Sequence, residues 1–132
     1  MYLLDTDICS YFMRGRHQQV ADKMRRFGWG ELKVSTIVQY ELESGARRSP
    51  RAKELIAVVE SFLSRIEILP FDVGAARQAA RVRADLACMG KPIGFYDTLI
   101  SGHALSLGAT LVTNNVDEFS RVDGLRVENW AA

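Results

Sequence analysis

Tyr2-Leu3-Leu4-Asp5-Thr6-Asp7-Ile8 is the stretch on which the reading of the chain turns. Its apolar opening is too short for a helix before the Asp-Thr-Asp break, so it reads as a buried first strand. A short helical pattern follows from Ile8 to Met13 and is ended by Gly15. Asp5 therefore stands at the carboxyl end of a strand.

Working outward, the same alternation recurs. Val20, Met24 and Phe27 fall at helical spacing, with Gly28 and Gly30 closing that helix. Leu32-Lys33-Val34-Ser35 reads as a brief strand. Thr36-Ile37-Val38-Gln39 has the form of a capping box, which starts a helix to about Ala46. Pro50 suits the first turn of the next helix, whose Leu55, Val58, Val59, Phe62 and Leu63 share one face. Ile66 to Leu69 alternates as a strand stopped by Pro70. Asp72 can cap a long Ala- and Arg-rich helix running to Gly90. After the turn Pro92-Ile93-Gly94, residues Phe95 to Leu107 are helical, with Gly108 past their end. Ala109 to Thr113 is a continuous apolar strand, and Leu125 to Val127 an edge strand. Strands alternating with helices predict one α/β domain over residues 1–132, a three-layer α/β/α unit around a central, mostly parallel sheet.

Bulk properties fit such a domain. The 132 residues are 48% hydrophobic and 25% charged, which excludes a disordered chain. Lys plus Arg is 17 against 16 for Asp plus Glu, so net charge does not distinguish partners. The arginines cluster: Arg14 and Arg16, Arg25 and Arg26, Arg47, Arg48 and Arg51, then Arg77, Arg81 and Arg83. Such clusters are solvated helix faces or phosphate contacts. Cys9 and Cys88 match no metal-ligand spacing and read as reduced, partly buried thiols. The opening residues lack a basic n-region, and no apolar stretch reaches the ~20 residues of a membrane span. A soluble cytoplasmic protein with no membrane partner is expected.

Chemistry is carried by four carboxylates at the junctions, Asp5, Glu41, Asp97 and Asp117. In open parallel sheets, ligands collect beyond the carboxyl ends of the strands. Asp5 lies there on the first strand, and Asn114, Asn115 and Asp117 lie there on the strand ending at Thr113. Glu41 and Asp97, near the starts of their helices, can point into the same crevice. Taken singly, each acid is a cap, a loop residue or helix surface. Gathered together they would repel unless a divalent cation joined them. Mg²⁺ or Mn²⁺ would suit the oxygen ligands, activating a water and neutralising a phosphate. Other chemistries lack support: there is no glycine-rich phosphate loop, His17 and His103 lack zinc spacing, and Ser44-Gly45 and Ser101-Gly102 lack a nucleophile-elbow context. Trp29 and Trp130 do not form a stacking platform.

Four blocks, in order, resemble the PIN-domain ribonucleases: Tyr2 to Ile8, Ser35 to Ala46, Gly94 to Ala104, and Leu111 to Phe119, with the ending Val122 to Trp130 also fitting. The likeness covers nearly the whole chain and is greatest to the VapC toxins of type II toxin–antitoxin modules. What it implies is a Mg²⁺-dependent endoribonuclease toxin, cleaving a structured RNA such as a tRNA loop and neutralised by a VapB-type antitoxin. Family roles carry onto Asp5 and Asp97 as principal metal ligands and onto Glu41 as ligand or water-orienting acid. The family's fourth acidic position falls near Asn115 or Asp117; Asn at 115 leaves Asp117 as its candidate. Asp7 stands where Asn is commoner, adding a charge near the site or capping the following helix. Arg14, Arg47 and Arg48, with Asn115, become candidate contacts for RNA phosphates or for an antitoxin tail. The helix at 51–63 either joins a dimer interface, in a homodimer or a hetero-oligomer with the antitoxin, or packs on the sheet. The alternative is a non-catalytic PIN-type subunit whose complex with a small partner binds operator DNA. This chain has no helix-turn-helix, so DNA would be reached only through that partner.

Overall fold

Strands β1 (Tyr2–Leu4), β2 (Leu32–Ser35), β3 (Glu67–Leu69), β4 (Thr110–Val112) and β5 (Val127–Glu128) form one sheet in the order β3-β2-β1-β4-β5. Every pairing is parallel. The computed structural model describes all residues from Met1 to Ala132. Helices α1 (Thr6–Arg14), α2 (Gln18–Phe27), α3 (Thr36–Arg47), α4 (Ala52–Leu63), α5 (Val73–Cys88), α6 (Phe95–Leu107) and α7 (Val116–Phe119) fill the connections, with a 3₁₀ turn at Trp29–Glu31 before β2. The result is the expected α/β/α arrangement.

The three inner strands β2, β1 and β4 are short and covered on both faces. Leu3, Leu4, Leu32, Val34, Leu111 and Val112 are all fully buried, as parallel sheets require. The chain steps from β1 outward to β2 and β3, then returns to lay β4 on the other side of β1. Strand order therefore reverses between β1 and β4, and a crevice opens beyond their carboxyl ends. Residues 5 and 113 flank that crevice.

Helices α5 and α6 pack closely. A Cβ on Gly102 would fall 2.3 Å from the Ala79 backbone nitrogen. Position 102 therefore needs glycine for helix approach, which is the physical reason for the Ser101-Gly102 pair.

Several local expectations change. The N-cap of α3 is Ser35, whose Oγ accepts from the Ile37 N–H at 3.0 Å. Thr36 and Gln39 do not form the capping box. Thr36 Oγ1 accepts instead from the Phe71 N–H at 3.0 Å, and Gln39 reaches Glu43 at 2.7 Å. A tertiary backbone donor has claimed the hydroxyl that local pattern offered to the cap. Asp72 does cap α5, accepting from Ala75 N–H at 2.9 Å. Glu41 lies halfway along α3 rather than near its start. Of the two free thiols only Cys9 is buried, with its pKa raised well above the usual range by burial; Cys88 is exposed. Arg77, Arg81 and Arg83 face solvent. Along α4, Val59 and Phe62 are buried, while Leu55 and Val58 stay largely open. No helix is long and apolar enough to cross a membrane.

Candidate active site

Asp5 follows β1 directly and is the N-cap of α1. One carboxylate oxygen, Oδ1, accepts from the Asp7 N–H at 2.7 Å and more distantly from the Ile8 N–H at 3.4 Å. The other, Oδ2, accepts from Thr113 Oγ1 at 2.5 Å. The β1–β4 register makes this contact possible: Leu4 pairs with Val112, and the Asp5 N–H donates to the Val112 carbonyl at 3.0 Å. The side chain is only 5% exposed. Burial first, and then the charge of Asp7, push its pKa up to about 6, against the hydrogen bonds that hold it down. Asp7 itself is exposed and does not cap α1; it acts on Asp5 as a neighbouring charge.

Asp97 sits in the first turn of α6, behind the N-cap Gly94. Its pKa is raised to about 7. Burial contributes most, followed by the approach of the Glu118 carboxyl and the charges of Glu118, Asp5 and Glu41. These causes identify its neighbours: the fold has gathered acids from four separate segments around one crevice.

Glu118 was not among the candidates from sequence. It stands on α7 and is half-buried, whereas Asp117 on the same turn is exposed and perturbs neither Asp5 nor Asp97. The fourth acid beside Asp97 is therefore Glu118, and Asp117 points its charge to solvent. The reason is geometric. A helix of four residues after the strand turns consecutive side chains by roughly 100°, so adjacent acids cannot share one crevice. Sequence shows the Asp117-Glu118 pair but not the phase of so short a helix.

Asn115 also acquires a definite place. Its side-chain amide donates to Glu118 Oε2 at 2.7 Å, and its backbone N–H donates to Thr113 Oγ1 at 3.0 Å. One residue thus orients two of the acids, Glu118 directly and Asp5 through Thr113. An aspartate here would have no N–H to offer Glu118 and would add a like charge. Glu41 is steadied separately, accepting from Thr6 Oγ1 at 2.8 Å.

Beside Glu41 and Thr6 opens a cleft of about 530 Å³ between α1, α3 and α4. Arg14, Arg16 and Arg51 line it together with Met13, Leu42 and the open side chains Leu55 and Val58. Arg14, Arg47 and Arg48 are exposed and lie within 4 Å of no carboxylate. Arg48 bonds Ser44 instead, and Arg47 faces away from this cleft. His103 is buried on α6, bonded through Nδ1 to Ser35 Oγ at 2.8 Å, and burial lowers its pKa. It is a packed histidine, remote from the acids.

The donor set is all oxygen: three to four carboxylates, one amide and two hydroxyls. That chemistry suits a hard divalent cation and not zinc or copper. The carboxylates do not close into a ready-made cage of three or more ligands. Mg²⁺ does not need one, since it is commonly bound by one or two carboxylates with waters and phosphate oxygens completing its shell. Burial and neighbouring charges raise these two carboxyls to about 6 and 7, and a cation would favour their charged forms.

The PIN domain family matches this chain over residues 2–125. The tRNA(fMet)-specific endonuclease VapC of Shigella flexneri is 39% identical over 130 residues, covering 98% of each chain. Among solved structures, the DNA-bound VapBC of Salmonella typhimurium is similar at 38% identity and a TM-score of 0.92, over 98% of this chain and 97% of that one. FitAcB from Neisseria gonorrhoeae superposes with a TM-score of 0.89 at 27% identity, over 98% of both chains. Near full-length identity, one shared fold and an acid cluster at the strand-order reversal agree: the chain belongs to the PIN-domain family, in its VapC ribonuclease branch.

Proposed function

We propose that this protein is a divalent-metal-dependent endoribonuclease that hydrolyses a phosphodiester in a structured RNA, a tRNA loop being the favoured target, and that a VapB-type antitoxin holds it inactive. The observation that carries the reading is the convergence of Asp5, Glu41, Asp97 and Glu118 on the crevice between β1 and β4. The tRNA target is supported by the relatives' activity and by the ease with which unpaired loop nucleotides enter a cleft. Asp5 and Asp97, with Glu41 or Glu118, would hold Mg²⁺ or Mn²⁺. When bound, the cation supplies charge neutralisation at the phosphate and lowers the pKa of a water.

The chain's own residues do the rest. Asp5 is locked by its three hydrogen bonds, so it needs no reorganisation on binding. Asp97 and Glu118 stand close enough for the Glu118 charge to act on Asp97, so the two can offer carboxylate oxygens to one cation. Arg14 and Arg16 stand where RNA phosphates or an antitoxin segment would lie along the cleft. The cleft's mixed apolar and basic lining suits an apolar segment with acidic or carboxyl-terminal charge.

The DNA-bound complexes of relatives favour operator binding by the toxin–antitoxin pair as a second property, with the antitoxin contacting the bases. The purely non-catalytic reading differs in one measurement. Sequencing RNA 5′ ends after a pulse of expression should reveal new, discrete ends with the wild-type chain and none with Asp5→Asn or Asp97→Asn. Identical end profiles for all three would overturn the nuclease reading. Chelation with EDTA should abolish cleavage by the purified, antitoxin-free chain, and Mg²⁺ or Mn²⁺ should restore it.

A further inference from the structure

Tyr40 and Tyr96 each immediately precede an acid of the site, Glu41 on α3 and Asp97 on α6. The two helices thus present the same Tyr-acid pair from two sides. The acids turn toward the crevice, and the tyrosines meet at its rim. Their ring centroids lie 5.7 Å apart, tilted by 44°, and Tyr96 Oη donates to Tyr40 Oη at 3.3 Å. Phe95 joins them edge-on at 5.5 Å from Tyr96. None of the three is covered: Tyr40 is 54% exposed, Tyr96 36% and Phe95 63%.

Aromatic side chains this exposed lose the burial that normally justifies them. Here the hydroxyl contact ties the two rings together at the rim while both stay open to solvent. The charges of Glu41 and of Arg48 both reach the Tyr96 phenol, which places the cluster between the acids and the unpaired arginines of α3. A phosphate held at the acids would put the adjoining base within reach of these rings. Unpaired RNA bases stack on such surfaces with little sequence preference.

We infer that Tyr40 and Tyr96 form a stacking platform for an unpaired nucleobase of the RNA, next to the phosphate held at Asp5 and Asp97. The inference rests on the ribonuclease reading and adds to it the positioning residues that select a flexible, unpaired segment. Stacking requires the rings and not the hydroxyls. Phenylalanine should therefore replace each tyrosine, whereas leucine should not.

The test uses the full, antitoxin-free chain carrying Asp97→Asn to prevent cleavage, and a short single-stranded RNA containing one 2-aminopurine. The Tyr40→Leu/Tyr96→Leu pair should weaken binding about tenfold, from the worth of one stacked base, and abolish the quenching of 2-aminopurine. The Tyr40→Phe/Tyr96→Phe pair should retain both within about twofold. Should the leucine pair melt early, Tyr40→Ala alone, at the more exposed ring, carries the comparison. Unchanged affinity and quenching in the leucine pair would overturn the platform. So would a fall in mass by light scattering with RNA affinity intact, which would mark the rings as a contact between copies of the chain. Cleavage by the wild-type chain is followed separately. If it cleaves while the leucine pair binds normally, only the platform fails; if it never cleaves yet binds RNA through the tyrosines, only the nuclease reading fails.

Discussion

At the scale of single residues, Asn115 and Glu118 change the account of the site most. Asp5, Glu41 and Asp97 were legible because each follows a strong strand or helix signal, and the structure sets all three around one crevice. Asp117 was misplaced because a four-residue helix has no periodicity to read. The same contacts give a prediction for Glu118→Gln. It removes a charge and replaces the carboxyl that favours protonated Asp97 with a neutral amide, so the Asp97 pKa should fall from about 7 toward the ordinary carboxylate range. Carboxyl-carbon NMR titration of the metal-free chain measures this directly; a pKa that stays near 7 would show that burial alone sets it. With one acid of the metal site gone, cleavage in Mg²⁺ at pH 7 should drop by about 10- to 100-fold.

Among elements, the packing of α5 on α6 holds Asp97 in place. Gly102 lies little more than a turn beyond Asp97 on the same helix, with Ala79 pressed against it. Gly102→Val would drive side-chain atoms into the α5 backbone. Such overpacking costs about 1–3 kcal/mol, to be read as a lowered midpoint in urea with an unchanged slope. A Gly102→Val chain as stable as wild type would mean that the two helices part easily. Element order and most helix ends were readable from caps, glycines and prolines. What sequence could not show was which partner claims a hydroxyl: Thr36 looked like a cap and serves Phe71 instead, a contact with a strand end distant along the chain.

Considered as a whole molecule, the sheet order sets a cost. Burial, with neighbouring charges adding to it, raises the pKa of Asp5 to about 6 and of Asp97 to about 7, both above the 3.8 of a free aspartate. The folded metal-free chain therefore binds protons more tightly than the unfolded chain between about pH 4 and 7, and its stability falls as pH rises through that window. His103, buried with a lowered pKa, acts in the opposite sense, so the comparison must isolate the acid. Relative to wild type, Asp97→Asn should be about equally stable at pH 4 and more stable at pH 7.5, on the order of 1 kcal/mol. Mg²⁺ should raise the wild-type Tm at pH 7.5 and not that of the variant. Melting curves in EDTA and in Mg²⁺ at the two pH values decide it; a variant less stable at pH 7.5 would contradict the repulsion account.

The bond from Thr113 to Asp5 joins residues 108 apart in sequence. Its consequence lies in time as well as space. A ribosome delivers Asp5 early, whereas β4 and α7, which complete its surroundings, are made only after α6. Until β4 has formed beside β1, Asp5 lacks its Thr113 donor and the acid cluster is incomplete. Folding of the sheet centre and completion of the site are therefore one event, so a chain with β4 detached should lose both together.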